Sequence, residues 1–136
     1  MEKQTRRAFV AGALAVGATT AATAIPFKME KKQQLAHHVF FWLKNPDSKE
    51  DLNKLIEGLK TLKKIETVRS LRIGIPASTE KRDVVDNSFS VSELIFFDDV
   101  EGQNVYQTHP IHVKFVEDCS SLWEKVIVYD AVDVKD

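Results

Sequence analysis

Leu35-Ala36-His37-His38-Val39-Phe40-Phe41-Trp42-Leu43 decides the fold of this chain, because it is rich in aromatic and branched residues and ends at Asn45-Pro46. Such a stretch reads as a β-strand, and proline just beyond it is a natural stop. After the histidines both faces are apolar, so the strand must be covered on both sides. Neighbours along a strand point to opposite faces, so only one of His37 and His38 looks inward.

Downstream, Ser48-Lys49-Glu50-Asp51 has the make-up of a helix cap. Leu52, Leu55, Ile56, Leu59 and Leu62 follow at helical spacing, with Lys54, Lys60 and Lys63 on the solvated side. Gly58 inside this helix costs about 1 kcal/mol of propensity relative to alanine. Val68 to Ile75 alternates and stops at Pro76, a second strand; 76–87 is polar and reads as a loop. Phe89, Val91, Glu93, Ile95 and Phe97 share one face of a third strand, with Leu94 and Phe96 on the other. Asp98-Asp99 caps a short helix from about Val100 to Gln107. His109-Pro110 breaks it, and Pro110 opens a second helix through Cys119. Val126-Ile127-Val128-Tyr129 is a last strand, flanked by Trp123 and Asp130. The order β-α-β-β-α-α-β predicts an α+β domain: a four-stranded antiparallel sheet with helices on one face, the ferredoxin-like plan.

The 136 residues make one such domain, 43% hydrophobic, with 19 basic and 20 acidic groups. That balance offers no basic field for nucleic acid. A single cysteine, Cys119, excludes an intrachain disulfide framework and a thiolate metal cluster, and reads as a small buried hydrophobe. Thr5-Arg6-Arg7-Ala8-Phe9-Val10 resembles a twin-arginine export motif. The apolar run from Ala8 to Ala24 is short for a bilayer span, and Ala22-Thr23-Ala24 fits a small-x-small cleavage site. Residues 1–24 therefore read as an export signal, 25–34 as a mobile lead-in and 35–136 as the domain, with a periplasmic or extracellular destination. The alternative is an uncleaved N-terminal membrane anchor.

Three stretches together resemble the stress-responsive A/B-barrel (Dabb) family. These are the opening strand His38 to Lys44, the string Tyr106-Gln107-Thr108-His109-Pro110-Ile111-His112, and the closing strand Trp123 to Asp130. Tyrosine, two residues, His-Pro, one residue and His is the specific part, and the similarity spans roughly residues 35 to 133. The resemblance implies a dimeric α+β barrel built by two sheets packing face to face. That agrees with the residues: Val39, Phe41 and Leu43 are expected on a sheet face that a partner copy must cover.

A polyketide cyclase of the family is the enzymatic precedent. The resemblance implies His112 as general base, Tyr106 as hydrogen-bond donor to a developing oxyanion, and His38 as a pocket histidine. Phe40, Trp42, Ile95, Phe115 and Trp123 would complete an apolar pocket for a small flat compound. His109 and Pro110 read as structural, capping and starting the second helix piece. Glu93 interrupts an apolar face where the cyclase has an apolar residue, so it needs a partner or a proton. The expected partner is His38 or His112; a bulge toward solvent and a salt bridge to Arg72 are the alternatives.

Three functions follow in order. The first is a homodimer holding a small apolar or aromatic ligand, with no cofactor. The second is a cofactor-free cyclase, lyase or isomerase using His112, Tyr106 and Glu93. The third is a metal site of His38, His112 and Glu93, which no spacing in the sequence demands.

Overall fold

The computed structural model describes residues 32–136, so the export signal and most of the lead-in lie outside the described residues. The chain forms β1 (Leu35–Leu43), α1 (Lys49–Thr61), β2 (Ser70–Gly74), β3 (Val91–Phe97), α2 (Val100–Thr108), α3 (Pro110–Cys119) and β4 (Trp123–Val132). Short 3₁₀ turns extend α1 and α3. The strands make one sheet in the order β2-β3-β1-β4, every neighbouring pair antiparallel. This is the predicted ferredoxin-like α+β fold. The last strand is longer than its apolar centre indicated, because pairing to β1 carries it from Trp123 to Val132.

Ser48 caps α1 by accepting from the Asp51 N–H at 3.1 Å, and Asp99 caps α2 by accepting from Gly102 N–H at 2.8 Å. His109 separates α2 from α3 in an extended conformation that Pro110 enforces. Its Nδ1 accepts from the Ile111 N–H at 3.1 Å, so the hydrogen sits on Nε2, which faces Glu66 Oε2 at 3.1 Å. The predicted capping role of His109 is the arrangement found.

The core lies between the sheet and the helices and includes Leu55 and Leu59 of α1, Phe115 and Cys119 of α3, and Val91, Ile95 and Phe97 of β3. On β1 it takes the odd residues, Leu35, His37, Val39, Phe41 and Leu43. The prediction for this strand is thereby reversed. Val39, Phe41 and Leu43 meet the helices, and His38, Phe40 and Trp42 lie on the open face. Alternation sorts the residues into two sets but does not say which set the helices cover.

The open face is aromatic. His38 packs on Phe40 at 4.3 Å between ring centroids, and Phe40 on Phe89 at 5.0 Å. Phe89 therefore belongs here, just ahead of β3, and does not share the buried face of Val91 and Glu93. Lys125 Nζ stands 4.6 Å over the Trp42 ring. The end of the lead-in is held against β4: Asp133 N–H donates to Gln34 O at 3.0 Å, and Gln33 Nε2 donates to Asp133 O. Among the described residues no helix is long and apolar enough to cross a membrane.

Candidate functional site

Four polar side chains from four elements meet under the helices. Tyr106 comes from the last turn of α2 and His112 from the first turn of α3. The break at His109-Pro110 folds these turns onto each other, and the two rings pack at 4.6 Å. Tyr106 is 1% exposed and also packs edgewise on Phe97 of β3, at 5.2 Å, and on His37 of β1, at 5.6 Å. Its hydroxyl donates to Glu93 Oε1 at 3.0 Å.

Glu93 sits mid-strand in β3, opposite Val39 on one side and Ile73 on the other, and is 1% exposed. It reaches neither His38 nor His112 by hydrogen bond; its partner is Tyr106. The salt-bridge alternative is absent too: Arg72 pairs with Leu94, on the opposite face, and is exposed. Burial pushes the Glu93 carboxyl up to about 7, partly offset by the Tyr106 hydrogen bond. Burial, and then the adjacent Glu93 carboxylate, raise the Tyr106 phenol well above its ordinary value. The phenol thus keeps its proton and acts as a donor.

His37, not His38, is the inward histidine. Its Nδ1 lies 2.5 Å from Asp130 Oδ1 on β4, directly across the ladder, which turns the other ring nitrogen away from that carboxylate. Asp130, a fifth group on β4, is exposed and His112 is half-buried, so these two lie toward solvent. Burial lowers the His112 imidazole below its ordinary value, against a raising hydrogen bond to the Gln107 backbone. At neutral pH it is an uncharged base.

The predicted pocket divides between the two faces of the sheet. Ile95, Phe115 and Trp123 lie on the helix side, where Phe115 stacks near Trp123 at 5.8 Å and Trp123 near Phe41 at 5.0 Å. His38, Phe40 and Trp42 lie across the sheet and cannot line the same space. For the same reason His38, Glu93 and His112 do not converge as a metal-ligand set. No group of three His, Cys, Asp or Glu side chains among the described residues is placed to hold a metal. Sequence reasoning missed His37 and Asp130. The signal that finds them is the strand register, which sets the two side by side.

The class defined by this geometry is a ferredoxin-like α+β domain with a buried acid–base cluster between sheet and helices. The chain belongs to the stress responsive A/B barrel domain (Dabb) family, whose model matches residues 35–133. A stress-response A/B barrel domain-containing protein of Arabidopsis thaliana is 27% identical over 85 residues, 60% of this chain and 75% of that protein. Among solved structures, a Dabb family protein of Mesorhizobium loti with a ferredoxin-like fold has a TM-score of 0.63 at 24% identity. The match covers 76% of this chain and 100% of that one. A dimeric ferredoxin-like protein of unknown function from Thermobifida fusca has a TM-score of 0.61 at 13% identity, over 79% and 96% of the two chains. The hydroxynitrile lyase of Passiflora edulis has a TM-score of 0.64 at 18% identity, over 76% and 96%. At these identities the likeness is one of fold.

Proposed function

We propose that this protein is a homodimer that takes up a small apolar or aromatic compound beside His112, at the helix-side cluster. The observation that carries the reading is Glu93. An aliphatic residue at that position would fill the core without cost, whereas a carboxyl group 1% exposed, with no cation beside it among the described residues, works against folding. Perturbed ionisable groups gathered at one place mark candidate sites. Here a phenol holds the carboxyl, and two imidazoles pack against the phenol ring.

Dimerisation is supported by the open sheet face, where Phe40, Trp42 and Phe89 have no covering layer among the described residues, and by the dimeric protein of the same fold. Export through residues 1–24 belongs to the same reading, and mass spectrometry of the purified N-terminus tests it: intact Met1 refutes cleavage.

A second reading, proton-transfer catalysis at the same cluster, is favoured by the uncharged imidazole of His112 beside a phenol donor and by the lyase among the neighbours of the fold. His112 would accept the substrate proton while Tyr106 hydrogen-bonds the oxygen that gains charge.

Thermal-shift screening of aromatic aldehydes, ketones and phenols against wild type and His112→Ala separates the cases. Binding predicts hits on wild type that move the His112 ring resonances. Turnover of a hit, abolished in His112→Ala, favours the second reading. If no compound shifts either the melting temperature or the His112 resonances at millimolar concentration, the site reading is wrong.

A further inference from the structure

We propose that Glu93 sets the direction of the Tyr106 hydroxyl, so that the site offers a hydrogen-bond donor to a bound oxygen only when Glu93 carries a proton. The inference rests on the ligand-site reading above and names the chemistry of the ligand: a carbonyl or other acceptor oxygen.

A phenol has one hydrogen to give and two lone pairs to accept with. With Glu93 ionised, the 3.0 Å contact to Oε1 consumes the Tyr106 hydrogen, and only phenol lone pairs remain for a ligand. With Glu93 protonated, the carboxyl O–H donates to the Tyr106 oxygen along the same line. The phenol hydrogen then rotates off Glu93 and is free. No atom other than hydrogen need move. Burial brings the changeover near neutrality, with Glu93 raised to about 7.

The surroundings isolate this pair. On β1, Val39 lies opposite Glu93; His37, two residues away, is engaged by Asp130 of β4. On β2, Ile73 is opposite and Arg72 faces away. Helix α1 buries Leu55 and Leu59 and exposes Lys54, Glu57 and Lys60. Helix α3 contributes His112, packed on the Tyr106 ring. Among the described residues, burial and Tyr106 are the influences on Glu93, and no charged neighbour joins them. Glu93 is therefore a positioning residue, acting through Tyr106.

Two measurements test this, one without a ligand. Infrared difference spectra across pD 5 to 9 should show a protonated carboxyl stretch that persists above pD 6, vanishes in Glu93→Gln and shifts in frequency in Tyr106→Phe. The second uses acetophenone, an acceptor that does not titrate. Its affinity for wild type should fall about tenfold from pH 5.5 to pH 8.5, the usual worth of one hydrogen bond. In Glu93→Leu, which leaves His37, His112 and Asp130 in place, affinity should be level with pH. In Tyr106→Phe it should be weak throughout. Wild-type affinity that does not change with pH, or the same pH dependence in Glu93→Leu, overturns the proposal. If acetophenone fails to bind at every pH, the ligand-site reading loses its support, and the infrared result alone decides the hydroxyl reversal. A carboxyl band missing above pD 6, or unmoved in Tyr106→Phe, rejects it.

Discussion

A single carboxyl group makes the stability of this domain depend on pH. Glu93 has a native value of about 7 against an ordinary 4.5, so between those limits the folded chain keeps a proton that the unfolded chain releases. Stability is therefore highest below about pH 4.5, as far as this group is concerned. It falls as pH rises through 7 and is level beyond. The drop contributed by Glu93 is about 3 kcal/mol, from about 1.4 kcal/mol per pKa unit. Urea unfolding of wild type and Glu93→Gln at pH 5 and pH 8 checks this: the loss between the two pH values should shrink by about that amount in the variant. His109 gives a second prediction at this scale. Its Nδ1 satisfies the Ile111 N–H at the start of α3, so His109→Ala should cost about 1 kcal/mol, read by the same denaturation. Tyr106 and Glu93 were both visible as unusual residues in the sequence. Their hydrogen bond was not, because they come from separate elements and each had nearer-seeming partners among the histidines.

Between elements, the packing of α1 on α3 explains a residue that propensity alone judged unfavourable. A Cβ at Gly58 would stand 2.6 Å from Cys119 Sγ and 3.1 Å from Phe115 Cδ1, both buried. Glycine lets the two helices approach, and Cys119 is the small buried hydrophobe that meets it. Gly58→Ala should therefore destabilise the domain by about 1–2 kcal/mol despite its better helix propensity. Adding Cys119→Ala, which removes the sulfur, should recover part of the loss, a coupling that a double-mutant cycle by thermal or urea unfolding measures. Helix α2 and helix α3 carry a different lesson. The break between them was legible in His109-Pro110, since proline rejects a helical predecessor wherever it occurs. That local rule was enough to bring Tyr106 toward His112.

For the molecule as a whole, the two faces of the sheet have separate duties. One holds the core and the acid–base cluster, and the other presents aromatic rings with no layer above them among the described residues. Trp42→Glu and Phe40→Glu should convert a micromolar dimer into a folded monomer in light-scattering chromatography, because neither side chain belongs to the buried core. Wild type running as a monomer refutes the dimer. The sequence by itself determined the order of elements, the antiparallel α+β plan, and the helix caps and break, because periodicity, proline and capping chemistry act over a few residues. Only the tertiary structure decided that His37 and not His38 turns toward the helices, that Asp130 meets it, and that Phe40 and Trp42 leave the site for the open face. The physical reason is that β1 is apolar on both sides. A period of two fixes which residues travel together, and the side they take depends on where the helices pack.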